Sequence, residues 1–458
     1  MKKRKLNVSG YRGIWGDTLT DKIVKDYAKA FAKFTKEDTE KDNPTILVGR
    51  DGRETGGRIR DIIIRELKKE EVNAIDGDIL PTPTMLFSVR NHKYDGGIII
   101  TASHNPIQYN GLKFINKDAL FTIEDQITKI QNFYEKFDKE DDKEDDKTNK
   151  NLDNKEIVPN FPQEHVDKIL AHVDVKAIRA KKFKVAADMI NASACVIDPY
   201  LFKKLGVDLV PLNNIPNGKF AHNPEPLKEN LSEIGKLVKE SGANLGFVHD
   251  PDADRLVIVN ENGEVILEEY SVVIAIENIL SKHPGKPIVL NLSTSQMGAD
   301  VAARHDSPCF RTKVGEPNVV EGIIKHEAIA GGEGNGGIIY PTINTVRDSF
   351  TGIALVLELL AERNETITEC ISKFPKYFMK KEKWPIEDKD IEEIKTEIKN
   401  AFPEAKTDEQ DGIRLDFPDR AWMHLHPSNT QPIVRLFGEA KTQEDIDRLF
   451  KIVEGFIL

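Results

Sequence analysis

The sequence predicts an α/β chain of several domains that ends in a smaller α+β domain. Apolar runs typical of buried strands alternate with amphipathic helix patterns in three successive rounds, and this alternation changes after about residue 360. The length of 458 residues is enough for roughly three or four domains of ordinary size. The rounds repeat an architecture, and they do not repeat residues.

The first round shows how these elements are predicted. Thr20 is a candidate N-cap of a helix, residues 45–48 are an apolar run typical of a buried strand, and residues 98–100 form another. The second run ends at a polar loop, residues 101–106, where α/β folds commonly place their chemistry. Residues 135–150 are almost all charged, which predicts a solvated loop or helix end.

The later rounds follow the same logic. Strands are predicted at residues 183–187, 209–210, 245–248, 256–259, 288–290 and 309–311, with helices at residues 272–280, 319–324 and 350–360. The last segment predicts a helix around Ile386, strands at residues 413–415 and 422–425, and a closing helix at residues 444–456.

Composition excludes several classes of protein. The 65 Lys and Arg residues against 76 Asp and Glu residues leave a formal net charge of −11, which argues against a nucleic-acid partner. No run is long and apolar enough for a membrane span, and the basic start leads into no apolar signal region, so we expect a cytoplasmic protein. The three cysteines, Cys195, Cys309 and Cys370, fit neither a disulfide framework nor a zinc site.

The first loop with candidate chemistry contains Ser103. Its hydroxyl follows a predicted buried strand between Ala102 and a turn-forming Asn105-Pro106 pair, where it could accept a phosphoryl group. A Ser in a turn is by itself more often structural than catalytic.

The second loop contains Asp250, Asp252 and Asp254. Carboxylates at alternate positions of a loop converge and repel one another unless a cation lies between them, and oxygen ligands suit Mg²⁺. The adjacent Arg255 can reach a phosphate. The alternative is a solvated or calcium-binding turn, but Arg255 occupies the position where an EF-hand needs glycine.

The third loop is glycine-rich and spans residues 331–337. Its glycines allow close approach of a ligand, and Glu333 and Asn335 offer acceptor and donor groups suited to sugar hydroxyls. It lacks the Lys-Ser/Thr ending of a phosphate-binding P-loop.

The fourth loop, residues 426–432, is a candidate phosphate site. Its hydroxyls, amide and backbone N–H groups favour an anion, although a capped turn between strands is the alternative. The polar side chains in and after this loop are His426, Ser428, Asn429, Thr430 and Arg435.

Together and in this order, the four loops resemble those of the α-D-phosphohexomutase superfamily of phosphoglucomutases, phosphomannomutases and phosphoglucosamine mutases. The stretches at residues 9–13, 48–53, 223–226 and 313–316 are also similar to that family. The resemblance implies three mixed-sheet α/β domains and a mobile C-terminal α+β domain around a central cleft. We place these domains at residues 1–160, 161–263, 264–374 and 375–458.

The resemblance also implies roles for the residues. Ser103 would be the phosphoserine and would hold Mg²⁺ together with Asp250, Asp252 and Asp254. Arg12, His104 and Lys113 would surround the transferred group, with Lys113 transferring the proton of the sugar hydroxyl. Lys313 and Arg255 would steady a phosphate. Hexose phosphates would be the substrates, and glucose- or glucosamine-1,6-bisphosphate the activator, of a monomer or homodimer.

Two positions depart from the family pattern. Gly337 and His426 stand where many members have His and Arg, so any acid/base role of that His must pass to Lys113 or another group. The charge missing at His426 could come from Arg435 or His424, or from protonation of His426 itself. The form of the glycine-rich loop favours glucosamine phosphate as substrate, with a mannose- or glucose-phosphate mutase of broad specificity as the alternative.

Two other functions fit part of the pattern. A magnesium-dependent phosphatase would also use an acidic loop, but it would not need a second phosphate site and would usually use an Asp nucleophile. A sugar-phosphate sensor that has lost turnover is the non-enzymatic alternative, and the retention of Ser103, Lys113 and all three Asp residues argues against it.

Overall fold

A computed structural model describes residues 5–138, 158–386, 390–427 and 433–457 of the chain. These residues form two compact units. The first unit comprises Met1–Leu267 and Thr342–Thr366, and the second comprises Glu268–Pro341 and Ile367–Leu458. The charged run predicted at residues 135–150 lies mostly outside the described residues, although its start belongs to a helix that ends at Phe137.

The first sheet of the first unit has the strand order β1-β5-β4-β2-β3, with β3, β2 and β4 parallel and β5 and β1 antiparallel to their neighbours. Thr20 caps the first helix, as predicted, by accepting a hydrogen bond from the backbone N–H of Ile23. The elements are β1 (Tyr11–Ile14), α1 (Asp21–Thr39), β2 (Thr45–Arg50), α2 (Gly56–Lys69), β3 (Asn73–Ile79), α3 (Thr82–His92), β4 (Gly96–Ile100), β5 (Tyr109–Ile115) and α4 (Glu124–Phe137).

The second sheet of this unit has the order β7-β6-β8-β9, in which only β9 is antiparallel. Two short 3₁₀ turns, Ser193–Val196 and Lys228–Asn230, interrupt its connections. The elements are α5 (Phe161–Leu170), α6 (Val175–Lys181), β6 (Lys184–Asp188), α7 (Asp198–Leu205), β7 (Asp208–Leu212), α8 (Ser232–Ser241), β8 (Leu245–His249) and β9 (Leu256–Val259).

The second unit holds the other two sheets. The third sheet is mixed, in the order β11-β10-β12-β13, and the fourth is wholly antiparallel, in the order β14-β18-β17-β16-β15. The third sheet is built from α9 (Glu269–Lys282), β10 (Ile288–Asn291), α10 (Gln296–Arg304), β11 (Cys309–Thr312), α11 (Glu316–His326), β12 (Ala330–Glu333) and β13 (Gly337–Ile339).

The remaining elements complete the fourth sheet and its helices. Helix α14 begins at Ile391, where the side chain of Asp390 caps it, so Ile386 precedes the helix that the sequence places around it. These elements are α13 (Ile367–Ile371), β14 (Phe378–Pro385), α14 (Ile391–Ala401), β15 (Lys406–Asp408), β16 (Ile413–Asp416), β17 (Trp422–Pro427), β18 (Ile433–Ala440) and α15 (Gln443–Ile457).

The predicted fold class is confirmed: there are three mixed sheets with helices and a C-terminal antiparallel sheet. Each domain predicted from the sequence encloses one sheet, and the boundaries themselves stay predictions. Among the described residues, no helix is long and apolar enough to cross a membrane.

Helix α12 (Ser349–Arg363) belongs to the first unit and begins at a buried polar network. Asp348 caps this helix by accepting hydrogen bonds from the backbone N–H groups of Phe350 and Thr351, at 3.0 and 3.2 Å. It also lies 2.9 Å from Nε2 of His165 on α5, whose Nδ1 lies 3.0 Å from the hydroxyl of Thr84 on α3. Three helices are therefore joined through one carboxylate.

We expect Asp348→Ala to destabilise the first unit strongly. Asp348 and His165 are both buried, so removing the carboxylate deprives the imidazole and the helix N-terminus of their partner, at a cost of about 3–5 kcal/mol. Chemical denaturation of the full chain measures the loss. Asp174→Ala removes an exposed N-cap, that of α6, and should cost only about 1 kcal/mol. Equal losses in the two variants would contradict the buried-network interpretation.

Candidate active site

Ser103 lies at the end of the parallel strand β4, in a backbone conformation that few residues with a side chain adopt. Its φ is +49°, in the left-handed region, and its N–H donates to Oγ1 of Thr101 at 2.8 Å. The side chain is 2 % exposed, and Oγ lies 3.1 Å from Oδ2 of Asp250 and 3.2 Å from Nδ1 of His104. The hydroxyl is thus directed at the acidic loop.

Asp250, Asp252 and Asp254 occupy the turn between β8 and β9 and are fully buried. Their carboxylate oxygens lie within 4.8 Å of one another. Hydrogen bonds within the turn hold it closed. One carboxylate oxygen of Asp250 accepts them from the backbone N–H groups of Asp254 and Arg255, both at 3.2 Å. The sequence prediction that the three carboxylates converge is met by the geometry.

Asp252 and Asp254 each use only one carboxylate oxygen in hydrogen bonds to described residues. Oδ2 of Asp252 accepts hydrogen bonds from Oγ1 of Thr82 at 2.9 Å and from Nζ of Lys113 at 3.0 Å, and Oδ2 of Asp254 pairs with the guanidinium of Arg347. The other oxygen, Oδ1 of each, is buried and has no hydrogen-bond partner among the described residues, although Oδ1 of Asp254 lies 3.9 Å from Nε of Arg255. Unpartnered buried carboxylate oxygens are costly in a protein, and they suit a hard cation.

The carboxylates also influence one another's ionisation. Burial, and then the charges of Asp254 and Asp252, raise the pKa of Asp250 well above its usual value. Burial alone would raise the pKa of Asp252 as well, but the charge of Lys113 and its hydrogen bond hold that pKa below its usual value. A divalent cation among the oxygens would relieve this repulsion, so these residues fit a magnesium ion.

Cationic side chains surround Ser103 and the acidic loop. Arg12 donates to Oδ1 of Asn105 at 2.8 Å, and burial lowers its pKa. The charge of Arg255, then burial and the charge of Arg12, hold the pKa of His104 well below its usual value, so His104 is neutral near pH 7. Lys113 is 6 % exposed. All the predicted site residues of residues 1–267 therefore lie together.

Arg347 is a member of this group that the sequence analysis did not identify. It immediately precedes the α12 cap, and the hydroxyl of Ser349, at the start of the same helix, donates to the carbonyl of Ala253 in the acidic loop at 2.7 Å. The start of α12 thus holds the acidic loop from outside it. No local pattern indicates this contact, because Arg347 and Asp254 are 93 residues apart in the sequence.

The second unit gathers the predicted sugar and phosphate residues. Oε1 of Glu333 accepts hydrogen bonds from Nδ2 of Asn291 at 2.8 Å and from the N–H of Gly315 at 3.0 Å. Gly315 lies two residues after the exposed Lys313. Its bond to Glu333 therefore also holds the loop that contains Lys313, here called the Lys313 loop. Oδ1 of Asn335 is buried without a partner among the described residues.

His426 lies on β17, directly opposite Arg435 on β18. Its Nδ1 is 3.1 Å from Oδ1 of Asp411, a residue that the sequence analysis did not identify. Oδ2 of Asp411 accepts a hydrogen bond from the N–H of Val314 at 2.9 Å, which links His426 to the Lys313 loop. Ser428, Asn429 and Thr430 lie outside the described residues.

The suggestion that His424 supplies the charge missing at His426 is wrong. Burial lowers the pKa of His424 to about 4, so its imidazole is neutral near pH 7. Both ring nitrogens are already hydrogen-bonded, Nδ1 to the hydroxyl of Ser293 at 2.8 Å and Nε2 to the carbonyl of Asp411 at 2.6 Å. Arg435 remains the candidate for a permanent positive charge at this position.

A buried carboxyl group lies under the glycine-rich loop. A Cβ atom on Gly334 would lie 2.0 Å from Oε1 of Glu269, so a larger residue there would require the Glu269 side chain to move. Oε2 of Glu269 accepts a hydrogen bond from the N–H of Ser295 at 2.9 Å, and Oε1 has no partner among the described residues. Burial raises the pKa of Glu269 to about 8, so the loop rests on a carboxyl group that is largely protonated near pH 7.

Comparison with known proteins decides the family. Residues 3–141, 163–263 and 268–377 match, in order, the alpha/beta/alpha domains I, II and III of phosphoglucomutase/phosphomannomutase. The chain belongs to the phosphoglucomutase/phosphomannomutase family. The resemblance to α-D-phosphohexomutases that the four loops indicate is thereby confirmed.

Relatives match this chain over nearly its whole length. The phosphoglucomutase/phosphomannomutase of Thermococcus kodakarensis is 32% identical, over 95% of this chain and 94% of its own. The phosphoglucosamine/phosphogalactosamine mutase of Sulfurisphaera tokodaii is also 32% identical, over 97% and 98%. A phosphoglucomutase/phosphomannomutase family protein from Burkholderia thailandensis has the same fold, with a TM-score of 0.82 at 24% identity over 98% of this chain and 97% of that chain.

We expect Glu269→Gln to stabilise the folded protein at high pH. Because the pKa of Glu269 is about 8 when folded and near 4.5 ordinarily, the folded chain holds an extra proton between these values, and stability falls as the pH rises through this range. Gln cannot ionise, so it does not lose stability in this way. The Tm of the variant minus the Tm of the wild type should therefore increase by at least about 2 °C from about pH 5 to pH 9.

Differential scanning calorimetry at a series of pH values measures this difference. Glu321→Gln, on the exposed face of α11 in the same unit, is the matched control and should show no such trend. A Glu269→Gln difference that stays constant with pH would contradict the protonated state of the buried carboxyl group.

Proposed function

We propose that this chain transfers a phosphoryl group between the 1- and 6-positions of a hexose phosphate, through a phosphoserine at Ser103 and a sugar bisphosphate. The observation that carries the proposal is the hydroxyl of Ser103 at 3.1 Å from Asp250, in a group with two buried carboxylate oxygens that accept no hydrogen bond from the described residues. A phosphorylated hydroxyl and a divalent cation complete such a group of charges.

The chemical step needs an acceptor hydroxyl in line with the Ser103 phosphoester. The sugar oxygen forms a new bond to phosphorus as the bond from phosphorus to Oγ of Ser103 breaks, and the sugar hydroxyl loses its proton. Lys113 is our candidate for proton transfer at this hydroxyl: its buried Nζ lies 3.0 Å from Asp252, so the ammonium can pass one of its protons to that carboxylate as Nζ takes the proton of the sugar hydroxyl. The reverse step at the other sugar oxygen returns a phosphoryl group to Ser103.

Charge neutralisation is the main contribution of the protein to such a transfer. Arg12 and Arg255 supply fixed positive charge beside Ser103, and neutral His104 can share a hydrogen bond with its oxygen. Mg²⁺, held by Asp250, Asp252 and Asp254 with the phosphoserine, would act as a Lewis acid on the transferred group. The bisphosphate that first phosphorylates Ser103, glucose- or glucosamine-1,6-bisphosphate, would be the activator.

Recognition of the substrate is the role that we assign to the second unit. Glu333 and Asn335 offer an acceptor and a donor for sugar hydroxyls. Lys313, His426 and Arg435, with the predicted Ser428, Asn429 and Thr430, would bind the phosphate that is not transferred. Gly337 cannot donate a proton, which leaves acid/base chemistry to the residues around Ser103.

Glucosamine phosphate is the substrate that we favour. The relative from Sulfurisphaera tokodaii carries the name phosphoglucosamine/phosphogalactosamine mutase, whereas the relative from Thermococcus kodakarensis, of equal identity, carries the name phosphoglucomutase/phosphomannomutase. A mutase of broad specificity is therefore the second candidate. A cytoplasmic location and a monomeric or homodimeric state remain predictions.

The decisive assay compares glucosamine, glucose and mannose phosphates in the presence of Mg²⁺ and a catalytic amount of sugar bisphosphate. We expect turnover with all three and a preference for glucosamine phosphate. Ser103→Ala should abolish turnover because no phosphoryl acceptor remains. Near-normal turnover by this variant, or release of free phosphate at the rate of product formation, would contradict the mutase assignment and favour a hydrolase.

The metal site is tested by Asp252→Asn. The variant removes one charge from the three carboxylates, so we expect the Mg²⁺ concentration for half-maximal activity to rise at least about 10-fold. Titration of Mn²⁺ followed by electron paramagnetic resonance reports binding independently of activity. Asp118→Asn, on an exposed turn, is the control. Unchanged Mn²⁺ affinity in Asp252→Asn would remove Asp252 from the metal site.

A further inference from the structure

We infer that Arg53 is the positioning residue that holds the phosphoacceptor loop, residues 101–109, in the conformation needed for transfer at Ser103. The inference rests on the proposed function, because it concerns the same serine. Arg53 follows β2, lies 50 residues before Ser103 in the sequence, and is 1 % exposed.

The guanidinium of Arg53 binds the loop by its backbone. Nη2 donates to the carbonyl oxygens of Ser103 at 2.6 Å and Asn105 at 2.7 Å. Nη1 donates to the carbonyl oxygens of Pro106 at 2.9 Å and Tyr109 at 2.8 Å. Four carbonyl groups of one loop therefore converge on a single planar cation.

A second set of bonds holds Ser103 from its other side. Nε of Arg53 donates to Oδ2 of the buried Asp51 at 3.0 Å, and the same oxygen accepts a hydrogen bond from the hydroxyl of Thr101 at 2.6 Å. Oγ1 of Thr101 in turn accepts the N–H of Ser103 at 2.8 Å. The carbonyl and the N–H of Ser103 are thus both fixed by one buried ion pair.

These bonds hold Ser103 in an unfavourable backbone conformation. A φ of +49° is unfavourable for a residue with a side chain and persists only where surrounding bonds impose it. The imposed conformation is the one that brings Oγ to 3.1 Å from Asp250. Without the Arg53 bonds, the loop can relax toward ordinary φ values and turn the hydroxyl away from the acidic loop.

Arg53 acts through Ser103 and not on the substrate. Its five N–H groups, one on Nε and two on each Nη, are matched by the five acceptors already named, so none is left for a phosphate. The ring of Phe220 covers the guanidinium, with the carbon Cζ 4.8 Å from the ring centroid. Lysine has three donors on one nitrogen and cannot satisfy this set.

The test measures phosphorylation of Ser103 directly in the full-length chain. Dephosphorylated enzyme is mixed with glucose-1,6-bisphosphate and Mg²⁺, quenched at timed intervals and analysed by mass spectrometry. We expect Arg53→Met and Arg53→Lys to slow phosphorylation about 100-fold, because misplacing a reacting atom by about 1 Å has an effect of this size. Thr101→Val, which keeps the side-chain volume and removes only the hydroxyl, should slow it at least about 10-fold.

If Arg53 only stabilised the fold, the loss of activity in its variants would follow the fraction of unfolded protein. We expect kcat of the mutase reaction to fall in these variants while the KM for the sugar phosphate changes less than about twofold, since Arg53 has no free donor for substrate. Arg50→Met is the matched control: its side chain lies on β2 and pairs with Asp78, so its phosphorylation rate should equal that of the wild type.

Each result has a definite meaning. Wild-type phosphorylation rates in Arg53→Met and Thr101→Val, or a loss that only follows the fraction of unfolded protein in circular dichroism, would overturn the positioning role of Arg53. A wild-type enzyme that is never phosphorylated on Ser103 would instead overturn the proposed function, and this inference with it. Slow phosphorylation of folded variants beside a normal Arg50→Met control is the result that supports the inference.

Discussion

The mutual repulsion of three buried carboxylates is the constraint on which the first unit depends around Ser103. Asp250, Asp252 and Asp254 lie within 4.8 Å of one another and are fully buried, which is unfavourable for a chain without a compensating cation. The protein offsets part of this repulsion with its own side chains: Lys113 pairs with Asp252 and Arg347 with Asp254. One oxygen each of Asp252 and Asp254 still accepts no hydrogen bond from the described residues, in the loop whose Asp250 contacts the hydroxyl of Ser103.

The surrounding fold is organised to hold these charges in place. The two mixed sheets of the first unit bring polar loops to strand ends, where backbone N–H groups and helix starts can bind them. The start of α12 supports the acidic loop, and the start of α3 supplies Thr82 to Asp252. Like charges stay buried only where rigid neighbours hold them. The contacts that stabilise the fold are therefore the same contacts that arrange these charges.

In the second unit, the charged and polar groups are connected differently from those around Ser103. There single hydrogen bonds link Glu333 to Gly315, and Val314 through Asp411 to His426. Glu269 carries little charge near pH 7, because burial raises its pKa and keeps it largely protonated beside the glycine-rich loop.

The sequence by itself determined the fold class, most element positions and the four loops that carry the chemistry. These are local properties: an apolar run followed by polar residues predicts a strand end, and alternating carboxylates predict convergence whatever surrounds them. The convergence of the three Asp residues could be predicted for this reason, as could the helix cap at Thr20.

Only the tertiary structure decided which distant side chains complete the site. Arg53 lies 50 residues from Ser103 and Arg347 lies 93 residues from Asp254, so no spacing in the sequence reports either contact. The neutral state of His424 likewise depends on burial by segments far along the chain. A local pattern reports the backbone and the burial of its own residues, whereas the pairing of charges depends on which remote segments the sheets bring together.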